Sequence, residues 1–192
     1  LAEPVASDPR VTLREHTNVR DLRPGDLGPA PQLVVADLSF ISLTMVVGPL
    51  IAVTALGGDL LVMVKPQFEV GRERLGARGV VASDVLRQEA VLAVATAAMA
   101  HGACVRAVVP SPLPGSSGNR EFFLWLARPT AVAPAPDSAR PTDSARPTDS
   151  AYLDAVAQVE VAVVDAVHHD RAALVGPVLA VPGTLAVPGR PS

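Results

Sequence analysis

Short apolar segments alternate with polar and glycine-rich connections over much of the chain. Three of these segments, residues 33–37 (LVVAD), 60–64 (LLVMV) and 103–109 (ACVRAVV), are short and rich in β-branched side chains. Such runs predict strands that are buried on both faces of a parallel sheet. Residues 42–56 instead place apolar side chains at helical spacing, and two glycines follow. The order strand, helix, strand with short connections predicts a right-handed parallel unit and an α/β fold.

Another helix and two further strands are predicted around this unit. Ser83 is placed to cap a helix over residues 84–101, and a glycine lies beyond its end. Residues 11–13 (VTL) give a short strand signal. Residues 121–126 (EFFLWL) give a final strand, in which a glutamate precedes an aromatic run. The apolar stripe of the helix includes Val85, Leu92 and Met99.

The character of the sequence changes after Arg128. Residues 129–150 are mostly Pro, Ala, Thr, Asp and Ser, and contain two copies of SARPTD, which predicts a disordered linker. Residues 151–175 have the spacing of an amphipathic helix, and residues 176–192 return to a Pro/Gly-rich coil. Residues 168–170 (HHD) have the chemistry of a metal ligand set, but their spacing favours a solvated helix face and no metal is expected.

Composition and charge narrow the class of protein without indicating an activity. The net charge is −3, so the overall charge does not indicate a nucleic-acid binder. The lone Cys104 excludes a disulfide framework, and a reduced cytoplasmic compartment is the default expectation. No apolar run reaches the roughly 18 residues that span a bilayer. Because residues 1–10 also lack a signal-peptide pattern, stable membrane insertion is not expected.

Three ionisable residues lie at strand boundaries and form the candidate site. Asp37 and Lys65, the only lysine of the chain, follow two strands, and Glu121 begins the last one. If the last strand runs antiparallel to its neighbours, all three side chains meet at the sheet edge where α/β folds bind ligands. Taken singly, each residue has a simpler explanation. An acid after a strand often caps a helix, and the single lysine can be an accident of an arginine-rich composition.

Several motifs occur in order over about residues 8–128, and together they resemble the TlyA family. These are FtsJ-like ribose 2′-O-methyltransferases of ribosomal RNA, also named haemolysins. The resemblance implies a partial Rossmann-like sheet of a class I S-adenosylmethionine-dependent methyltransferase, with helices on both faces. It also implies S-adenosylmethionine as cofactor, and ribosomal RNA or ribosomal subunits as partner. The motifs are REHTNVRDL (14–22), DLSFISL (37–43), VKPQFEVGRE (64–73), GVV (79–81) and SPLPGSSGNREFFLWL (111–126).

The resemblance also assigns roles to the three ionisable residues. The related enzymes use a Lys-Asp-Lys-Glu tetrad, whose last three members match Asp37, Lys65 and Glu121. Lys65 is then the expected general base, because a ribose hydroxyl must lose a proton as it attacks and burial can hold a lysine near neutrality. Asp37 is expected to orient the lysine and to balance the sulfonium charge. Glu121 is expected to fix the ribose or the second lysine.

Cofactor and RNA contacts are the remaining expectations from the resemblance. Asn18 and the backbone of Asp37 and Leu38 match the part of the cofactor site that this sequence retains. Basic and polar residues of two loops are expected to contact RNA phosphates without reading the sequence. The alternative for the arginines is an ordinary solvated loop. The expected RNA contacts are Arg72, Arg74, Arg78, Asn119 and Arg120.

The sequence departs from the family pattern at its start. The first tetrad lysine, the Gly-rich cofactor loop and the small S4-type RNA-binding domain lie upstream of the REHTN motif in the family. None of them is found here, and no glycine precedes Gly25. The chain also begins with leucine. These features predict a truncated, fused or mispredicted reading frame whose product is inactive or nearly so.

Three other functions remain open at this stage. The first is a methyltransferase-like module that binds RNA or a partner without catalysis. The second is a membrane-active haemolysin, which the absence of a spanning helix and of a basic amphipathic face disfavours. The third is a Rossmann-like dehydrogenase, which the missing G-x-G-x-x-G motif disfavours. The modified nucleotide, the ribosomal subunit and the oligomeric state do not follow from the sequence.

Overall fold

The computed structural model describes residues 2–115, 117–130, 150–169 and 173–174. The predicted linker lies almost wholly outside these residues, and the predicted coil over residues 176–192 lies wholly outside them. The strands are β1 Leu33–Ala36, β2 Asp59–Val64, β3 Cys104–Pro110, β4 Phe122–Ala127 and the short β5 Ala173–Leu174. The α-helices are α1 Glu3–Ala6, α2 Val47–Val53, α3 Pro66–Glu69, α4 Asp84–Ala100 and α5 Ser150–His169. Single 3₁₀ turns occur at Val19–Asp21, Leu43–Met45, Arg72–Arg74 and Ala77–Gly79.

The strands form one mixed sheet in the order β1-β2-β4-β3-β5. β1 and β2 are parallel, whereas β4 runs antiparallel to both β2 and β3. The predicted strands at residues 33–37, 60–64, 103–109 and 121–126 are therefore present, with every end within one residue of its prediction, and the α/β class is confirmed. The antiparallel direction of β4 brings its amino end to the edge where β1 and β2 end.

Two predicted elements differ from the structure. Residues 11–13 form no strand: Val11 and Leu13 are exposed, and the Val11 amide donates to Asp8 in a turn. A strand needs a partner for its backbone groups, and no strand of the described sheet pairs with this segment. The predicted helix over residues 42–56 is a 3₁₀ turn followed by α2. The backbone becomes extended at Thr54, directly after the last residue of α2.

α4 begins where the sequence predicts, and Leu92 and Met99 of the predicted apolar stripe are partly buried against the main core. The Ser83 hydroxyl accepts a hydrogen bond from the Leu86 amide at 3.5 Å and caps the helix. Val85 is exposed. Small side chains allow the helix to approach the sheet closely, and these form its buried face: Ala90, Val91, Val94, Ala95 and Ala98.

One face of the sheet forms the core. Side chains alternate along β2, so that Leu60, Val62 and Val64 are fully buried, and their cross-strand neighbours on β4 are buried with them. The same cluster includes the buried residues of α2, α4 and α5. α5 corresponds to the helix predicted over residues 151–175, but it ends at His169. Further along the chain, the backbone of β5 pairs with β3.

The opposite face is open among the described residues, so the prediction that β1 and β2 are buried on both faces is wrong. It carries the cross-strand pairs of Leu61 with Trp125 and of Met63 with Phe123, and Val35 lies beside Leu61. Trp125 is 41% exposed, and Val35 is also exposed. The resemblance implies helices on both faces of the sheet. Among the described residues, α2, α4 and α5 form a layer on the core face. No helix in this part of the chain combines the length and apolarity needed to cross a membrane.

Candidate active site

Lys65 and Asp37 form an ion pair at the edge of the sheet. The two residues follow adjacent parallel strands, and the Lys65 Nζ lies 2.6 Å from Asp37 Oδ1. The lysine side chain is only 13% exposed, whereas that of Asp37 is 64% exposed. Lys65 Nζ also donates to the Ser39 hydroxyl at 3.1 Å. A largely buried amine is therefore held by two side chains of the loop that follows β1.

Glu121 lies at the same edge on the neighbouring strand. Val64 pairs with Phe122 across β2 and β4, so the next positions along the register are Lys65 and Glu121. Glu121 is 7% exposed, and its Oε1 accepts a hydrogen bond from Gln67 Nε2 at 3.0 Å. The structure thus places all three predicted catalytic residues on one edge of the sheet. It brings Asp37 and Lys65 into contact, while Glu121 is held by a residue of α3.

Asn119 connects two loops beside this edge. Its Oδ1 accepts a hydrogen bond from the Val81 amide at 2.9 Å, and its Nδ2 donates to the Gly79 carbonyl at 3.0 Å. The residue is only 2% exposed. Its amide is therefore used inside the protein, and this geometry does not support the expected RNA contact.

The predicted RNA-binding arginines differ in their surroundings. Arg72 and Arg78 are exposed in the loop after α3. Arg74 donates from Nε to the Val70 carbonyl at 2.6 Å and pairs with Glu89 at 2.5 Å, so it also fastens that loop to α4. Arg120 is partly buried.

The predicted cofactor contacts lie in two separate loops. Asn18 is exposed, and its Oδ1 accepts from the Arg20 amide at 3.1 Å, which caps the 3₁₀ turn at Val19–Asp21. Leu38 is partly buried against the main core, directly after the Asp37 carboxylate. This combination of an exposed carboxylate and an apolar neighbour suits a ligand that carries both a positive charge and an apolar part.

Sequence reasoning missed Glu69 and Gln67, the two polar side chains of α3. The Glu69 carboxylate accepts hydrogen bonds from the Ser42 hydroxyl at 2.5 Å and from the Leu43 amide at 2.8 Å. Burial raises the pKa of the Glu69 carboxyl, and the hydrogen bonds from Ser42 and Leu43 oppose that shift. Both residues belong to the PQFE segment directly after Lys65, and a single helical turn is too short for its sequence to show where the side chains point.

Phe40 was also missed, although it stands out in the structure. It is 92% exposed, its φ of +64° is unusual for a bulky residue, and its ring lies 5.2 Å from that of Phe68. Strained, exposed residues often occur at functional sites. The sequence alone gives no sign of this backbone conformation.

Comparison with known proteins identifies the family. The model of the FtsJ-like methyltransferase family matches residues 1–128, which include all the residues of the candidate site. The chain belongs to the FtsJ-like methyltransferase family. The TlyA protein of Mycobacterium tuberculosis, named 16S/23S rRNA (cytidine-2′-O)-methyltransferase, is 48% identical to it over 130 residues. YqxC of Bacillus subtilis is 35% identical over 130 residues.

Two solved structures have a similar fold. A hemolysin candidate from Lactococcus lactis matches with a TM-score of 0.64 and 32% identity, covering 67% of this chain and 62% of its own. One from Streptococcus thermophilus matches with a TM-score of 0.67 and 29% identity, covering 88% and 55%. The alignment takes up 68% of this chain but 48% of the M. tuberculosis protein, and 67% of this chain but 46% of YqxC. The chain therefore spans about half the length of the curated relatives that it matches.

Proposed function

We propose that this chain carries part of the catalytic site of a methyltransferase that modifies the ribose 2′-hydroxyl of ribosomal RNA. The observation that carries the proposal is the contact between Lys65 and Asp37, at the ends of adjacent strands within the family-matched region. The M. tuberculosis relative is named for this reaction. Because the chain spans half of that relative, the proposal concerns the chemistry of the site and leaves the activity of the chain alone to experiment.

S-adenosylmethionine, when bound, supplies a methyl group on a positively charged sulfonium. Methyl transfer to the ribose oxygen would leave the electron pair of the broken carbon–sulfur bond on sulfur, and a residue of the protein would have to accept the hydroxyl proton. The exposed Asp37 carboxylate is suited to balance the positive charge of the cofactor. Leu38 provides apolar surface next to it.

Lys65 is the proposed base, and its ion pair sets a condition on that role. Because an amine accepts a proton only in its neutral form, the role requires Lys65 to be unprotonated when the ribose hydroxyl attacks. The Asp37 side chain contacts this amine and is 64% exposed, so it is suited to pass the released proton to solvent. General-base catalysis of this kind typically contributes about 10²- to 10⁴-fold to the rate.

The exposed side chains around the pair are suited to RNA. The Phe40 ring, 92% exposed beside Phe68, offers a face on which a nucleobase can stack, a contact worth about 1–3 kcal/mol per base. Arg72 and Arg78 are exposed and can contact phosphates without reading the sequence. The 2′-hydroxyl itself would let the site distinguish RNA from DNA.

The test compares the chain alone with a hybrid that joins residues 1–128 to the remaining part of the M. tuberculosis protein. Both are incubated with tritiated S-adenosylmethionine and with ribosomal subunits that lack 2′-O-methylation. We expect transfer by the hybrid and little or none by the chain alone. Efficient transfer by the chain alone would show that residues 1–192 suffice. RNA affinity without cofactor affinity or transfer by either protein would support a binding module instead.

Two variants of the hybrid separate base catalysis from charge. Lys65→Ala should lower kcat by about 10²- to 10⁴-fold because it removes the proton acceptor. Lys65→Arg keeps a positive charge for Asp37 but cannot lose a proton, so it should be similarly impaired. An arginine variant that retains activity would show that the positive charge matters and that Lys65 is not the base.

A further inference from the structure

The helix α3 connects three parts of the candidate site. It consists of the four residues directly after Lys65, and its two polar side chains reach opposite segments. Gln67 contacts Glu121 on the loop that precedes β4. Glu69 contacts the loop that follows β1 and carries Asp37, through Ser42. The lysine therefore precedes a turn whose side chains hold both acidic segments.

The Glu69 contact fixes the Asp37 loop at its far end. Residues 37–42 leave β1 at Asp37 and reach the carboxylate at Ser42, so the loop is fixed at both ends. The second carboxylate oxygen accepts from the Leu43 amide at 2.8 Å. Burial penalises this carboxylate, and hydrogen bonds to charged groups are the stronger class that can offset such a penalty. The two hydrogen bonds to Glu69 therefore fix the end of the Asp37 loop at Ser42 and Leu43.

The Gln67 contact fixes Glu121. The orientation of the amide is set by chemistry, because exchanging its oxygen and nitrogen would turn a carbonyl towards a carboxylate. The remaining Gln67 Oε1 is buried and has no hydrogen-bond partner in the described part of the chain. Such an atom costs about 1–3 kcal/mol, which argues that Gln67 is not present for stability alone. Gly115 faces the same carboxylate, and a Cβ there would overlap Glu121.

We propose that Gln67 and Glu69 are positioning residues that hold the Glu121 and Asp37 segments on either side of Lys65. Neither side chain touches the reacting atoms in this proposal. Glu69 acts through the Asp37 loop on the ion pair, and Gln67 acts through Glu121. The proposal deepens the proposed function and depends on it for its catalytic consequence. Its structural part is independent of catalysis.

The only lysine of the chain provides a direct measurement. Labelling with ¹³C,¹⁵N-lysine gives a single side-chain signal in NMR spectra, that of Lys65, without cofactor or activity. Asp37→Asn supplies the reference for a broken ion pair. We expect Glu69→Gln to move the Lys65 signal towards that reference, because the amide keeps only one of the two acceptor oxygens that bind Ser42 and Leu43. The matched control is Glu73→Gln, an exposed acid four residues along the chain, which should leave the signal in place.

Catalysis in the hybrid provides the second measurement. A displacement of about 1 Å in a reacting group can cost on the order of 10²-fold, so Glu69→Gln and Gln67→Leu should each lower kcat by about 10- to 100-fold. KM for RNA should stay within about twofold, since the RNA-facing side chains are unchanged. Glu73→Gln should match the unmodified hybrid. A merely structural role would instead lower the melting temperature and leave kcat of the folded fraction unchanged.

The outcomes are distinct. An unchanged Lys65 signal in folded Glu69→Gln, together with unchanged kcat, overturns the proposal. If no hybrid transfers methyl groups, the proposed function fails, while the Lys65 signal still decides whether Glu69 holds the ion pair. If Glu69→Gln does not fold, Ser42→Ala removes one of the two hydrogen bonds and should shift the Lys65 signal in the same direction. No shift in that variant overturns the Glu69 part.

Discussion

Replacing Asn119 with alanine should destabilise the fold, and the structure allows the loss to be estimated. The side chain is 2% exposed and bonds to the Val81 amide and to the Gly79 carbonyl. Alanine leaves both backbone groups without their partner. Val81 is itself buried, so water cannot replace the bond to its amide. An unsatisfied buried group costs about 1–3 kcal/mol, and the two together should lower the free energy of unfolding by about 2–4 kcal/mol.

Urea unfolding followed by the fluorescence of Trp125, the only tryptophan, measures this loss. The other asparagine of the chain, Asn18, supplies the matched control. It is exposed and caps a short 3₁₀ turn, so Asn18→Ala should cost at most about 1 kcal/mol. Asn119→Ala could instead be as stable as the control but bind RNA more weakly. That result would show that Asn119 contacts RNA directly and that its hydrogen bonds to Val81 and Gly79 do not stabilise the fold as argued.

Three further changes test other contacts. Gly115→Ala should displace Glu121, because the added Cβ would overlap its carboxylate, and should lower kcat of the hybrid with little change in KM; unchanged kcat would contradict the packing. Burial raises the pKa of Glu69, so ionisation of this carboxyl opposes folding. The free energy of unfolding of the parent, relative to that of Glu69→Gln, should be greatest below the usual glutamate pKa of about 4.3 and should fall as pH rises through the raised pKa. Urea titrations at several pH values measure this difference. Trp125→Lys places a positive charge beside Asp59 on the open, apolar face of the sheet. If this face mediates self-association, the variant should associate less in sedimentation velocity, and an unchanged profile would show that the face does not mediate it.

The strands were predictable from the sequence because a buried strand carries its own signal. Residues 60–64 are uniformly apolar and include two valines, and they form all of β2 except its first residue. Residues 11–13 carry a similar but shorter signal and form no strand. The difference lies in the partner, because a strand is stable only beside another strand or under a packed layer. Local pattern supplies the tendency, and the rest of the sheet decides whether it is realised.

The ionisable residues of the site were predictable for a related reason. Asp37, Lys65 and Glu121 lie at strand boundaries, and strand direction alone brings such positions to one edge. The residues that hold them were not predictable. Gln67 and Glu69 lie in a single helical turn, where one step along the chain rotates a side chain by about 100°, so their direction depends on the exact end of β2.

The charges of the site suggest how its tasks are divided. Two carboxylates and one amine leave the edge of the sheet with a surplus of one negative charge, which favours a sulfonium cation and repels phosphate. In the proposed function, contacts to RNA phosphates would therefore lie away from that edge while the ribose reaches it, and the exposed Arg72 and Arg78 lie on the loop after α3. Coulomb interactions across exposed protein surface weaken within about 8–10 Å at physiological salt. Beyond such a distance the acidic sheet edge and the arginines can each attract their own ligand with little effect on the other. Along the chain, α3 lies between Lys65 at that edge and the loop that carries Arg72 and Arg78.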